Sequence, residues 1–144
     1  MTFNSGPIEL SLEIAAERAG DIAPQVYQKL FARHPELEAL FVRDTTGAIK
    51  GEMLARTIEA LLDFIGPRAY ARHMVQTEAV THEGYGVPRE VFPAFFTAIA
   101  DSIRDVLGDD WTEDMKLSWQ AMLAEIAFFA AHTDQKIEAA TAAS

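Results

Sequence analysis

The chain has 144 residues, 49% of them hydrophobic, no cysteine and a net charge of −10. That length and apolar content suit one domain with a sizeable core and exclude disorder. The missing thiol excludes disulfides, thiolate metal sites and a cysteine nucleophile, and a negative surface without a Lys/Arg cluster would repel phosphate backbones, which argues against nucleic acid.

Met1-Thr2-Phe3-Asn4-Ser5 lacks the basic and apolar segments of a signal peptide, and no apolar run reaches the length of a membrane span. The expectation is therefore one cytoplasmic domain over 1–144, away from membranes. The apolar periodicity reads as helices, with no convincing strand. Pro7 suits the first turn of a helix that runs to about Ala19, with Ile8, Leu12, Ile14 and Ala15 inward. Gly20-Asp21 stops it, and Asp21 can cap the next helix, whose first turn holds Pro24. Val26, Tyr27, Leu30 and Phe31 then repeat at helical spacing. Pro35 ends that helix near His34 and opens a short one, Pro35 to Leu40, with Phe41 at its end.

Val42 to Ala48 carries Thr45-Thr46-Gly47 and reads as a loop. A long helix follows, with Met53, Leu54, Ile58, Leu61, Leu62 and Ile65 on one side, until Gly66-Pro67 breaks it. The next runs from about Arg68 to His82. Pro93 is tolerated only in a first turn, which puts the start of the following helix near Arg89. That helix carries Val91, Phe92, Phe95, Phe96, Ile99, Ile103, Val106 and Leu107. After the turn Gly108-Asp109-Asp110, Thr112 caps the last helix, with Glu113 and Asp114 against its positive end. Trp119, Met122, Leu123, Ile126, Phe129 and Ala130 form its buried stripe. The polar, alanine-rich segment from Thr133 is expected to fray, so the core spans about 8–131.

His82 draws attention within Ala79-Val80-Thr81-His82-Glu83-Gly84-Tyr85-Gly86-Val87-Pro88. A histidine at a helix end, with glycines that let the chain turn away, can hold its imidazole fixed beside a flat ligand. Neutral imidazole is a good ligand for iron. Alone, His82 also reads as a satisfied structural histidine, Tyr27 as ordinary core, and Phe41 as the plug of a short helix.

Taken together, these landmarks carry a resemblance. Val26-Tyr27-Gln28-Lys29-Leu30-Phe31-Ala32-Arg33-His34-Pro35-Glu36-Leu37, then Leu40-Phe41, then His82 with Tyr85-Gly86-Val87, then Trp119, follow one pattern, and no gap is needed between Tyr27 and His82. The chain resembles bacterial globins, most closely the single-domain haemoglobins and the haem domain of flavohaemoglobins, over roughly Leu10 to Ala131. The resemblance implies an all-α globin fold, about seven helices packed by crossing around a haem pocket. It implies haem b as cofactor, with His82 as the proximal iron ligand. It makes Phe41 the aromatic residue packed on the haem face and Tyr27 the distal donor toward bound O2. Met53, Leu54 and Ile58 become apolar walls of the distal side, and Val87 a haem contact on the proximal side.

Two positions depart from the family pattern. Lys50, followed by Gly51, stands where relatives carry a distal Gln or His, so it is expected to swing to solvent, pair with a haem propionate or donate to a ligand. Phe92 stands where flavohaemoglobins carry a tyrosine ten residues beyond the proximal histidine. It cannot hydrogen-bond, which weakens the case for a strongly electron-donating proximal side and for peroxidase-like or fast dioxygenase chemistry. Phe92, Phe95 and Phe96 read mainly as core that partly lines the cavity.

The remaining histidines read as bland. His34 is expected to be exposed, His73 to face another part of its helix, and His132 to lie at a fraying end. The carboxylates form no convincing acid/base pair. The expected function is reversible binding of O2, with NO and CO as further ligands. It would serve oxygen binding and transport or, with a separate reductase, NO detoxification of the dioxygenase type. A gas or redox sensor acting through a signalling partner, and a haemless stress-sensing module, are the alternatives. The histidine and its glycine turn argue against the last.

Overall fold

A computed structural model describes residues 5–65, 71–84, 86–88 and 91–131. Among these residues all regular structure is helical: α1 (Ser5–Ala19), α2 (Ala23–Arg33), α3 (Ala48–Ile65), α4 (Ala71–Gly84), α5 (Ala94–Leu107) and α6 (Glu113–Ala131), with 3₁₀ segments at Pro35–Phe41 and Gly108–Asp110. The fold is all-α, as the periodicity predicts.

The helix starts follow local chemistry. Asp21 Oδ1 accepts from the Ala23 backbone N–H at 2.9 Å, and Pro24 sits in the first turn of α2. Thr112 Oγ1 accepts from the Met115 N–H at 3.1 Å and caps α6. Each satisfies a donor that an isolated helix end leaves open.

The heart of the fold is α5, which packs on α1, α2 and α6, while α4 packs on α3 and α6. Phe96, Ile99, Ile103 and Leu107 of α5 are buried, with Ile8 and Ala15 of α1, Val26, Tyr27 and Leu30 of α2, and Trp119, Met122, Ile126 and Ala130 of α6. Two surface ion pairs one turn apart, Lys29–Asp105 and Arg33–Asp101, set α2 antiparallel to α5. Each such pair stabilises little by itself; their common spacing fixes the register. Arg18 reaches from the end of α1 to the Leu107 carbonyl at 3.1 Å and also pairs with Asp110, closing the end of α5.

Several boundaries and faces differ from the sequence-based expectation. The helix holding Phe95 and Phe96 starts at Ala94 rather than near Arg89, with Pro93 just before it and Val91 to Pro93 in a turn. Val91 and Phe92 N–H both bond the Pro88 carbonyl, and Ala94 N–H bonds that of Val91, so the short-range turn uses the acceptors first. Leu62 is 47% exposed instead of inward. Leu54, Leu61 and the half-buried Ile58 and Ile65 recur at three and four residues and share one face, which Leu62 misses by about 100°. His34 is half-buried rather than exposed, with Nδ1 3.4 Å from Glu36. The break at Gly66-Pro67, the start of the next helix at Arg68, His132 and the frayed tail lie outside the described residues.

A buried link joins α1 to α6. Trp119 Nε1 donates to Ser11 Oγ at 2.9 Å, and Ser11 donates to the Ile8 carbonyl at 2.7 Å. Both side chains are fully buried. Ser11→Ala leaves the indole N–H without its acceptor and is expected to destabilise the protein by about 1–3 kcal/mol, read as a lower midpoint in urea with an unchanged slope.

Candidate functional site

The site begins at the end of α4. The helix does not stop at His82 but continues to Gly84, so His82 sits in its last turn. The stop that follows is a Schellman motif. Gly86, at φ 98°, places its N–H on the Glu83 carbonyl at 3.1 Å, and the Val87 N–H bonds the His82 carbonyl at 2.9 Å. The positive φ explains the glycine, and Val87 is buried behind it. The turn holds the carbonyl of His82 and thus its backbone.

The imidazole is held as well. His82 Nδ1 lies 2.8 Å from the Glu78 main-chain carbonyl, which can only accept, so Nδ1 carries the hydrogen. In neutral imidazole that leaves the lone pair on Nε2. The Glu78 carboxylate lies 3.5 Å from the same Nδ1, and the Phe92 ring packs 5.3 Å from the imidazole. The side chain is 27% exposed.

An aromatic layer runs from His82 to α2. Phe92 packs on Phe96 at 5.7 Å, Phe96 on Phe95 at 6.5 Å, and Phe95 on Tyr27 at 5.4 Å. Tyr27 also meets Phe41 edge-on at 5.6 Å and Phe31 at 5.8 Å. The three landmarks of the sequence, His82, Tyr27 and Phe41, therefore belong to one connected set of rings.

The Tyr27 hydroxyl is buried and donates to the Lys50 main-chain carbonyl at 2.9 Å. Burial, and after it the charge of Asp44, push its ionisation well above the ordinary tyrosine value. It therefore stays a protonated donor at neutral and moderately alkaline pH. Lys50 itself points neither freely to solvent nor to an open distal space. Its ammonium pairs with Asp44 Oδ2 at 3.2 Å and lies 5.6 Å from the centre of the Phe41 ring.

Leu54 and Ile58 line an apolar cavity of about 480 Å³ that faces α1, with Leu12, Ala15, Ile22 and Ile103. Met53, on the neighbouring stripe of α3, is half-buried. The side chain of His73 lies outside the described part of the structure. No cluster of three metal-ligating side chains occurs among the described residues. Sequence reasoning missed Asp44 and Glu78. The spacing of Glu78, four residues before His82, is the one signal that could have marked it.

The globin family profile matches residues 24–130. The chain belongs to the globin family. Among curated relatives, it is 26% identical over 116 residues to a flavohemoprotein of Halalkalibacterium halodurans and 28% identical over 121 residues to one of Xylella fastidiosa, each covering 78% of this chain. The chain spans about 28% of the length of these relatives. No solved structure matches it significantly.

Globins hold haem iron through a proximal histidine, and the donor chemistry here fits that group. A ligating histidine almost always gives its other ring N–H to a carbonyl, carboxylate or water, which fixes tautomer and orientation. Nδ1 of His82 is engaged in this way, so the neutral ring carries its lone pair on Nε2.

The acid behaviour of this globin should include a contribution from Asp44. Burial pushes its carboxyl up, but the Lys50 and Ile49 N–H groups and the Lys50 ammonium outweigh this and hold it below the usual value. Its contribution to stability is thus complete above the ordinary aspartate pKa of about 3.9 and is lost as pH falls through the lowered one. Thermal unfolding from pH 7 to pH 2 should show wild type more stable than Asp44→Asn at neutral pH and the two converging in acid.

Proposed function

We propose that this globin binds one haem b through His82 Nε2 and reversibly binds O2, with NO and CO as further ligands. The observation that carries the reading is the His82 ring, oriented by the Glu78 carbonyl and joined through the aromatic layer to a buried tyrosine hydroxyl. The name of the matched relatives, flavohemoprotein, supports haem in the region this chain shares with them.

When bound, the haem supplies an iron with an open coordination position at which a diatomic gas binds. The chain's own residues do the rest. His82 would hold the group through Nε2, and Phe41, Val87 and Phe92 would pack against it. Tyr27 is the donor for a ligand that gathers negative charge, and such a donor acts most strongly where water is excluded. Leu54 and Ile58 provide apolar wall on α3. Lys50 is held at the rim by Asp44 and Phe41.

His82 rests on a neutral carbonyl closer than on the Glu78 carboxylate, and its aromatic neighbour Phe92 has no hydroxyl. That proximal side favours binding a gas over breaking bonds within it. The role we assign is therefore an oxygen-binding globin in the cytoplasm, for transport or, with electrons from a separate reductase, for NO removal.

Haem titration of the purified protein tests this directly. Wild type should take up one equivalent with a sharp Soret band, and His82→Ala should lose that band or hold an exchangeable haem. Saturation without a stoichiometric Soret band in wild type would falsify the assignment. A hydrogen bond to a charged acceptor contributes about 1.5–3 kcal/mol. Tyr27→Phe should therefore speed O2 release roughly ten-fold; an unchanged rate in stopped flow would reduce Tyr27 to core.

A further inference from the structure

The Tyr27 hydroxyl already has an acceptor, and that acceptor is itself held in place. Lys50 lies in the first turn of α3, where open N–H groups and the helix dipole make an ammonium unwelcome. Asp44 answers both. Its Oδ1 accepts from the Ile49 N–H at 3.1 Å, its Oδ2 from the Lys50 N–H at 3.0 Å, and Oδ2 also takes the Lys50 ammonium at 3.2 Å. The Asp44 side chain is only 1% exposed. The loop between is folded back by Gly47 at φ 81° and by Thr46 Oγ1, which accepts from the Ala48 N–H at 3.3 Å. The Lys50 ammonium in turn lies by Phe41, whose ring meets Tyr27. Lys50, Phe41 and Tyr27 thus form a closed ring of contacts, and Asp44 holds the Lys50 end of it.

We propose that Asp44 is a positioning residue for the distal donor: by clamping the first turn of α3 it fixes the Lys50 carbonyl as the resting acceptor of Tyr27, which a gas ligand must win away. The proposal rests on the haem reading for its effect on gas binding, but the clamp exists in the chain alone. The carbonyl can accept from Tyr27 while bonding within the helix, because it has two lone pairs. A neutral acceptor holds a hydroxyl less strongly than one carrying charge. The hydroxyl therefore divides between the carbonyl and the ligand, and the ligand gains only the difference. Loosening the carbonyl releases Tyr27 toward the ligand. Asp44 thereby sets how tightly gas is held without touching it.

The test uses wild type, Asp44→Ala, Asp44→Asn and Asp44→Glu. Asn keeps one acceptor for the backbone N–H groups and secures the experiment if Ala fails to fold. In the haem-free protein, Asp44→Ala should speed exchange of the Ile49 and Lys50 amides at least about ten-fold and shift the Tyr27 ring-carbon NMR signal, assigned through Tyr27→Phe. In the haem-loaded protein with CO, the infrared band should move toward the hydrogen-bonded position in Asp44→Ala, less in Asp44→Asn, and back in Asp44→Glu. O2 release should slow about five-fold in Asp44→Ala, the contribution of the neutral carbonyl that no longer competes for the hydroxyl. A Tyr27 signal that does not move, a CO band that stays in place, or one that moves away from the hydrogen-bonded position overturns the proposal. Failure of wild type to bind haem sinks the haem reading alone, since the haem-free arm still decides whether Asp44 holds the carbonyl for Tyr27.

Discussion

A helix carbonyl can satisfy one nitrogen of an imidazole on its own surface, and only one. In this globin the Glu78 carbonyl, one turn below His82, takes Nδ1–H at 2.8 Å. Ring tautomer, ring orientation and the availability of Nε2 all follow from that bond. It depends on the helix running past His82, because a histidine at the last residue would have a frayed turn beneath it. The Schellman stop at Gly86 and Val87 secures the two extra residues. The Phe92 ring, placed by the turn before α5, closes one flank.

The distal side is organised by the same economy of polar groups. A buried tyrosine hydroxyl must find an acceptor, and the Lys50 carbonyl provides it. A lysine at the start of a helix needs a counter-charge, and Asp44 provides that. The two requirements meet at one residue, so the position expected to carry a ligand-facing side chain contributes its backbone instead. The ammonium is held by Asp44 beside the Phe41 ring, which matches the cost of burying a strongly hydrated charge without a partner. Between the two sides, α5 carries the rings that connect them, and its packing on α1, α2 and α6 makes that layer part of the core.

Much of this was legible in the sequence where the chemistry is local. Thr112 reads as a cap because a cap acts within two or three residues; Asp21 instead stands one residue before the N-cap Ile22 and bonds the first helical N–H. The stripes of α2, α5 and α6 read correctly from their spacing. Helix ends were harder. His82 looked terminal because the glycine needed at positive φ comes after the helix, not in it. Pro93 looked like a first-turn residue, yet the turn from Pro88 captured the N–H groups before it and moved the start to Ala94. Asp44 was invisible because it lies four residues ahead of α3 and works through a folded-back loop. The Ser11–Trp119 link, 108 residues apart, has no local signature at all. The pairing of Tyr27 with a carbonyl rather than with open space likewise depends on how α2 and α3 meet, which periodicity does not report.

The central claim is that His82 is the one protein ligand to the haem iron and that Lys50 stays off it. The optical spectrum of the reduced, gas-free protein tests this most directly. The account predicts a five-coordinate, high-spin ferrous spectrum at one haem per chain, since Nε2 of His82 binds one side and Asp44 retains the Lys50 ammonium. A six-coordinate, low-spin spectrum before any gas is added would contradict it.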